Sequence, residues 1–183
     1  MDQPILTTPR LRLRPFEPSD APTVRELAGV YEVAHTTLNI PHPYPEGAAE
    51  EWIARHPHDW AAGAGVTFAI TTAGDGALIG AVGLSLKPKH AQGELGYWVA
   101  VPHWGQGYAT EAARALVDWG FSTLGLHRVQ ARHFCRNPAS GRVMQKIGMV
   151  LEGTHRESMR RWDRFEDVAV YAVLAREWQA VTG

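Results

Sequence analysis

Hydrophobic and polar positions alternate along several stretches of the chain, which is the pattern of a β-strand with one buried face. The clearest stretch is residues 92–101, where Leu95 and Tyr97 fall on one face and Glu94 on the other. Pro102 ends this strand, because proline has no N–H to donate to a ladder. The other predicted strands cover residues 6–16, 65–72, 77–86, 128–134, 149–159 and 166–175.

Apolar residues at helical spacing predict four helices between these strands. They cover residues 19–29, 46–62, 108–124 and 137–148. Asn137 followed by Pro138 is a helix start signal, because asparagine caps the first turn and proline needs no N–H partner there. Pro57 is expected to break or kink the second helix. Residues 31–45 hold three prolines and are predicted to loop over the surface.

The order of these elements is strand, two helices, three strands, helix, strand, helix and two strands. Strands and helices mixed in this way predict an α/β fold, a mixed sheet with helices packed on it. With 183 residues the chain is expected to form a single domain, residues 1–183, with a substantial core.

Composition and charge narrow the function classes. The 18 basic and 19 acidic residues give a net charge of −1, so neither a nucleic-acid partner nor a membrane is expected. No apolar run approaches the ~20 residues of a membrane helix, and the first residues lack the pattern of a signal peptide. The lone Cys135 cannot form an internal disulfide, which fits a reducing compartment. We therefore expect a cytoplasmic protein.

A glycine turn follows the central strand and opens a predicted helix. Gly105 and Gly107 permit a tight turn, and Thr110 begins a run of good helix formers. The free N–H groups and the positive dipole end of such a helix favour a phosphate-bearing ligand. A dinucleotide site is disfavoured, since Thr110 stands where that motif needs glycine or alanine and Phe134 where it needs an acid. The Gly-Lys-Ser/Thr of a P-loop is absent from the sequence.

Seven segments occur together in the chain and carry a resemblance. They are Thr8-Pro9-Arg10-Leu11-Arg12-Leu13-Arg14-Pro15-Phe16, Gly93-Glu94-Leu95-Gly96-Tyr97-Trp98-Val99, Trp104-Gly105-Gln106-Gly107-Tyr108-Ala109-Thr110-Glu111-Ala112, Arg128-Val129-Gln130-Ala131-Arg132, Asn137-Pro138-Ala139-Ser140, Lys146-Ile147-Gly148-Met149 and Asp167-Val168-Ala169-Val170-Tyr171. In this combination the chain resembles the GNAT superfamily of N-acetyltransferases, and within it the Rim-type branch that acetylates ribosomal-protein N-termini. The resemblance implies a mostly antiparallel sheet of six to seven strands, splayed at the cofactor site, with helices on both faces.

The resemblance also implies acetyl-CoA as cosubstrate. The family's acyl-CoA loop has the form Arg/Gln-x-x-Gly-x-Gly/Ala, and here Trp104 takes the first position, where we expect a polar contact to be lost. The strand end is implied to pair with the pantetheine arm and the turn to hold the pyrophosphate. The implied cofactor-binding residues are Val99, Ala100, Val101, Gln106, Gly107, Tyr108, Ala109, Thr110 and Asn137.

A basic stretch without acidic residues, 128–151, is expected to border the negative charge of the cofactor. Its cations are Arg128, Arg132, Arg136, Arg142 and Lys146.

Acetyl transfer from a thioester to an amine needs a neutral amine, a stabilised oxyanion and a thiolate that can leave. Glu94 is the first candidate for the base, because a carboxylate in a partly buried cleft can accept a proton. The alternative for Glu94 is a salt-bridged carboxylate. Glu157 is the second candidate base, while Met159 stands where some relatives carry a glutamate.

For the acid, many family members use a tyrosine at the position of Met144, which cannot donate a proton. The Rim-type branch implies Ser140 instead, near the sulfur of CoA, with Asn137 binding the pantetheine or orienting Ser140. The alternatives are that Asn137 is a helix N-cap and Ser140 an ordinary polar residue of the first turn.

The acceptor is expected to bind between residues 31–45 and the last hairpin. Candidate contacts are Tyr31, Asn39, His42 and Tyr44. Trp162, at the hairpin tip, borders this cleft or an oligomer contact. His133 is the histidine expected near the site, whereas His56 and His58 are expected in a solvated loop. With one cysteine and no regular ligand spacing, no metal site is expected.

The sequence therefore predicts an acetyl-CoA-dependent N-acetyltransferase. It would move an acetyl group by direct attack to a primary amine, either a protein N-terminus or a small amine. The alternative is a non-catalytic acyl-CoA-binding or sensory domain, which the missing tyrosine acid and second glutamate motivate. A homodimer is left open.

Overall fold

The computed structural model describes residues 2–182, and for residues 179–182 it describes the backbone alone. The strands are β1 (Leu6–Thr7), β2 (Leu11–Arg14), β3 (Gly65–Thr72), β4 (Leu78–Lys87), β5 (Gln92–Val99), β6 (Arg128–Phe134), β7 (Val150–Arg161) and β8 (Arg164–Leu174). The α-helices are α1 (Ala21–Ala28), α2 (Tyr31–Ala34), α3 (Ala48–Ala61), α4 (Tyr108–Ser122), α5 (Pro138–Lys146) and α6 (Ala175–Thr182). None of these helices is long and apolar enough to cross a membrane.

Eight strands in the described part form one sheet in the order β1-β2-β3-β4-β5-β6-β8-β7. The pair β5–β6 is parallel and the other six pairs are antiparallel. The sheet has more strands than the six to seven predicted, because the predicted strand 6–16 is split into the hairpin β1–β2. Pro9 lies in that turn, where the N–H of Thr8 donates to the carbonyl of Leu11.

The two faces of the sheet pack against different helices. Leu95 and Val99 enter the larger hydrophobic cluster, together with side chains of α4, α5 and α6. Trp98 points to the other face and joins a cluster built with α1 and α3. The period-two alternation of β5 therefore divides its side chains between two cores. The predicted mixed, mostly antiparallel sheet with helices on both faces is confirmed.

The parallel pairing of β5 with β6 stops halfway along both strands. It runs from Gln92 opposite Arg128 to Leu95 opposite Ala131. Beyond that point β5 continues along β4 and β6 continues along β8 to Phe134. The two strands thus separate in the middle of the sheet, and this splay was implied by the resemblance.

The central strand ends earlier than predicted. It stops at Val99, and Val101–His103 forms a 3₁₀ turn with Pro102 in its first turn. The last ladder contact is the N–H of Ala100, which donates to the carbonyl of Ile79 at 2.8 Å.

The helix that contains Pro57 is not broken, so the predicted break is wrong: α3 runs without interruption across this position. His56 consequently lies in a helix rather than in a solvated loop, and it is only 6% exposed. Its ring packs between Phe16 and Trp52, with centroid distances of 5.4 and 4.4 Å. Burial lowers the pKa of His56 to about 4. His58, on the same helix, is exposed.

Two further helices differ from the prediction. The short α2 lies inside the segment 31–45 that was predicted as loop. The helix α6 follows β8 directly, where no element was predicted. Trp178 explains its docking: the indole is 3% exposed and its N–H donates to the Asp118 carboxylate at 2.9 Å.

Arg161, near the end of β7, holds the end of α2 and the residues that follow it. Its guanidinium is 7% exposed and donates to the carbonyls of Ala34, Leu38 and Ile40 at 2.8, 2.9 and 2.5 Å. Trp162, next in sequence, stacks on Tyr31 with a centroid distance of 5.6 Å and stays 40% exposed. The hairpin tip therefore holds the segment 31–45 through one buried cation and one aromatic contact.

We expect Arg161→Met to lower the free energy of unfolding by at least about 2 kcal/mol, because three carbonyls lose their donor. Urea unfolding followed by circular dichroism measures this. Arg160→Met, at the exposed neighbouring position, is the matched control and should change stability by less than about 0.5 kcal/mol. Equal losses in both variants would contradict the assignment.

Candidate active site

One large cleft, of about 1550 Å³, opens where β5 and β6 separate. The glycine turn and the start of α5 line one part of it, while residues 36–41 and α3 line another. The predicted site residues that line the cleft are Glu94, Val99, Gly107, Tyr108, Ala109, Thr110, Asn137 and Ser140. Ala100, Val101 and Gln106 do not line it. The splay thus collects most of the predicted site in one place.

The glycine turn has the geometry that a phosphate ligand needs. Gly105 and Gly107 adopt φ of 75° and 84°, a left-handed conformation that favours glycine. The helix α4 then starts at Tyr108, so helix geometry leaves the N–H groups of Tyr108, Ala109 and Thr110 without intrahelical partners. These donors and the positive end of a helix of 15 residues face one part of the cleft.

Trp104 makes a polar contact that the sequence analysis did not anticipate. Its indole N–H donates to the carbonyl of Val99 at 2.6 Å. The tryptophan at the first loop position therefore ties the glycine turn to the end of β5 rather than merely removing a contact.

An ion-pair network braces the same turn from the N-terminal segment. The guanidinium of Arg10 donates to the Glu111 carboxylate at 2.6 Å and to the carbonyl of Gln106 at 3.0 Å. The Thr8 hydroxyl donates to the same carboxylate at 2.6 Å. Burial alone would raise the pKa of Glu111, but the hydrogen bonds from Thr8 and Arg10 outweigh it and lower the pKa. Thr8 and Arg10 therefore hold Glu111, and with it the start of α4, in place beside the glycine turn.

Val99, Ala100 and Val101 were predicted to present free backbone groups to a ligand, and several of these groups have partners within the protein. The N–H of Ala100 is used by β4, and the carbonyls of Ala100 and Val101 accept from His103 and Trp104 in the 3₁₀ turn. Because backbone groups alternate sides along a strand, those of Val99 and of Tyr97 point away from β4 and toward the splay. The carbonyl of Val99 is used by the Trp104 indole, which leaves the N–H of Val99 and the backbone groups of Tyr97 on this side.

Glu94 is an ion-paired carboxylate. One of its oxygens accepts from Nε and Nη2 of Arg132 at 2.9 and 2.5 Å, and the other accepts from the amide of Gln130 at 2.8 Å. Its side chain is 27% exposed and lines the cleft. Both predictions for Glu94 therefore hold in part, since its carboxylate is salt-bridged and also lines the cleft.

Asn137 and Ser140 occupy the first turn of α5. The Asn137 side chain accepts from the N–H of Ser140 at 3.4 Å, so Asn137 is the helix N-cap, as one of its two predicted roles requires. The Ser140 hydroxyl lies 2.8 Å from the hydroxyl of Tyr97. Met144, at the position of the absent tyrosine, is 1% exposed and forms part of the core.

The ring of His133 is held by contacts with neighbouring residues. Its Nδ1 is 2.8 Å from the carbonyl of Phe134, and its ring lies 5.6 Å from that of Tyr171. A Cβ atom at position 141 would stand 2.8 Å from its Nε2, so the glycine leaves room for the ring in this position. His133 lines the cleft, as expected, and so do His56, His58 and His103.

Glu157, the second candidate base, does not line the cleft. It is exposed in an irregular part of β7, where its N–H donates to the Asp167 carboxylate at 2.7 Å. The side chain that does reach the cleft from this strand is Met159. Met159 stands where some relatives carry a glutamate, so a thioether lies at the cleft wall in place of a carboxylate.

The candidate acceptor contacts separate into two groups. Asn39 and Tyr44 line the cleft, whereas Tyr31 and His42 lie outside it in the aromatic cluster around Trp162. Two carboxylates on the α3 side of the cleft, Glu51 and Asp59, were not predicted. They are eight residues apart on one predicted helix, and this spacing was the signal that both could lie on the same side of it.

The basic stretch contributes less free charge than predicted. Arg132, Arg142 and Lys146 line the cleft, and Arg132 is paired with Glu94. Arg128 and Arg136 are outside it and form ion pairs with Glu152 and Glu166. Of the cations in this stretch, Arg142 and Lys146 therefore line the cleft without an ion pair among the described residues.

Comparison with known proteins gives a consistent result. Residues 10–150 match the family described as "Acetyltransferase (GNAT) domain". The chain is 32% identical over 179 residues to the uncharacterized N-acetyltransferase YnaD of Bacillus subtilis (strain 168), which covers 94% of this chain and 98% of that protein. It is 31% identical over 96 residues to the ribosomal-protein-serine acetyltransferase of Escherichia coli (strain K12), covering 52% of this chain and 54% of that protein. The fold is similar to that of a GNAT-family acetyltransferase from Bacillus anthracis, with a TM-score of 0.85, 26% identity, and coverage of 95% of this chain and 100% of that chain.

We expect the stabilising effect of Glu111 to depend on pH. Since its pKa is lowered in the folded state, its contribution is complete above its ordinary pKa of about 4.3 and is lost as the pH falls through the folded value. The difference in unfolding free energy between the wild type and Glu111→Gln should therefore shrink on going from pH 6 to about pH 3. Urea unfolding at each pH measures it.

Glu26→Gln, on the exposed part of α1, is the matched control and should show no such trend. A difference for Glu111→Gln that stayed constant across the pH range would rule out the ion-pair role.

Proposed function

The chain belongs to the GNAT family of acetyltransferases, and on that premise we propose that it moves an acetyl group from acetyl-CoA directly to a primary amine. The amine is a protein N-terminus or a small amine. One observation carries the proposal: the splay joins the glycine turn at Gly107, the Ser140 hydroxyl and the Glu94 carboxylate in a single cleft. These supply an anion site, a donor and an acceptor for protons.

We assign the pyrophosphate of CoA to the first turn of α4. The N–H groups of Tyr108, Ala109 and Thr110 act there as donors to the anion. Arg142 and Lys146 add positive charge to the same cleft. From this anchor the pantetheine arm extends along the open side of β5, where the backbone groups of Tyr97 and the N–H of Val99 serve as partners, and its sulfur reaches Ser140.

We assign the acceptor amine to the side of Glu94. The carboxylate lines the cleft and is ion-paired with Arg132, and there it can accept a hydrogen bond from the ammonium group of the acceptor. Loss of the ammonium proton, to Glu94 directly or through a water molecule, leaves the neutral amine that attacks the thioester. Arg132, whose side chain is 37% exposed, holds the carboxylate in place during this step.

We expect Glu94→Gln to lower kcat/KM for the acceptor by roughly 100-fold or more, because the amide cannot take up the proton. Initial rates of CoA release, measured with acetyl-CoA and a panel of peptides and small amines, test this. Glu152→Gln is the matched control, since Glu152 forms an equivalent ion pair with Arg128 away from the cleft. Wild-type rates in Glu94→Gln would remove Glu94 from the mechanism, and a panel with no transfer beyond thioester hydrolysis would remove the function itself.

We expect Gly107→Ala to weaken the binding of coenzyme A about tenfold. An L-residue at a left-handed φ costs about 1–2 kcal/mol, so the free turn relaxes to another conformation, and this cost must be met again when the ligand binds. Isothermal titration calorimetry with coenzyme A measures the effect. Gly74→Ala is the control, since a Cβ atom there meets nothing within 4 Å. Unchanged affinity in Gly107→Ala, or binding of NAD in place of coenzyme A, would contradict the assignment of the turn.

A further inference from the structure

Tyr97 has a hydroxyl group whose role the proposed function does not yet include. It lies on β5 just past the last residue that pairs with β6. Its hydroxyl oxygen is 2.8 Å from the Ser140 hydroxyl and 3.1 Å from the Ser140 carbonyl. Both residues line the cleft. The hydroxyl pair is therefore formed across the splay, between the open end of a strand and the first turn of a helix.

The two hydroxyl protons of this pair can be arranged in two ways. In the first, Tyr97 donates to the Ser140 carbonyl and the serine proton points back to the tyrosine. In the second, Tyr97 donates to the serine oxygen and leaves the serine proton directed into the cleft. Only the second arrangement makes Ser140 a donor to a sulfur atom. A negative charge developing in the cleft favours the second arrangement, because it attracts the serine proton.

We propose that Tyr97 is a positioning residue for acetyl transfer, which donates to Ser140 so that the serine proton faces the departing sulfur of CoA. This inference rests on the proposed function. It gives the chain a replacement for the tyrosine that many family members carry at the position of Met144, because here the phenol approaches from β5 and acts through the serine.

The direction of the Tyr97 hydroxyl decides its role. It lies 2.8 Å from the Ser140 hydroxyl and 3.1 Å from the Ser140 carbonyl, so the hydroxyl that can face the sulfur is that of the serine. Burial raises the pKa of Tyr97 to about 12, and the hydrogen bond with Ser140 partly opposes this. The phenol therefore keeps its proton at neutral pH and remains a hydrogen-bond donor that stabilises the serine oxygen.

The acceptor nitrogen supplies the proton that balances the transfer step. When the nitrogen attacks, the C–N bond forms, the C–S bond breaks and its electron pair goes to sulfur. The Ser140 hydroxyl gives its proton to the sulfur in the same step in which the serine oxygen takes up the proton that the nitrogen loses, so no serine alkoxide is left behind. The Tyr97 hydroxyl donates to the serine oxygen throughout. No other reactant is needed.

Tyr97→Phe tests the inference, since it removes one oxygen and keeps the ring. We expect kcat to fall about tenfold or more, with unchanged KM for acetyl-CoA. Ser140→Ala should also lower kcat, and the double variant should be no slower than Ser140→Ala, because residues that act as a unit are not additive. Tyr171→Phe removes a buried hydroxyl outside the cleft, bonded to Gln145. It should keep the wild-type kcat.

A leaving-group test separates positioning from a merely structural effect. In the selenium analogue of acetyl-CoA, a more acidic selenol leaves and has less need of a proton. The defects of Tyr97→Phe and Ser140→Ala should shrink with this donor. Wild-type kcat in Tyr97→Phe, additive losses in the double variant, or an equal defect with both donors would overturn the inference while leaving the proposed function intact. If the wild type transfers no acetyl group to any amine, both fail.

Discussion

The interruption of pairing between β5 and β6 is the constraint on which the site depends. Four residues of each strand are paired, and after Leu95 and Ala131 each strand follows a different neighbour. A continuous ladder would place β6 where the cleft now opens. The interruption also lets both faces of β5 contribute, because strand alternation directs Glu94 to one side of the sheet and Tyr97 to the other. A substrate at the splay can thus be reached by a carboxylate and by a hydroxyl pair from one short strand.

The walls of the cleft are held by charged hydrogen bonds between distant parts of the chain. Arg10 and Thr8 bond to Glu111 on α4, at a sequence separation of about 100 residues, and so connect the first hairpin to the glycine turn. Arg161 bonds to carbonyls more than 120 residues earlier and so connects the last hairpin to residues 34–40 beside the cleft. Hydrogen bonds from a charged donor are stronger than neutral ones, which suits segments that have little regular secondary structure.

Local patterns in the sequence predicted the strands and helices that carry the site. The contacts between these elements could not be predicted from such patterns. The alternation along β5, the glycine turn before α4 and the Asn137 cap of α5 are local patterns, and all three were confirmed. His56 was misassigned because the helix tolerates the following proline, which propensity alone does not predict. The partners of Glu94 and Ser140 depend on strand register: Arg132 reaches Glu94 across the parallel pair, and Tyr97 reaches Ser140 across the splay. Neither contact has a fixed spacing in the sequence.

A crystal structure of the protein with coenzyme A bound tests the central claim most directly. The account predicts the pyrophosphate on the N–H groups that follow Gly107, the arm along the open side of β5, and the sulfur within hydrogen-bonding distance of the Ser140 hydroxyl. Coenzyme A bound elsewhere on the protein, or with its sulfur away from the pair formed by Ser140 and Tyr97, would contradict it.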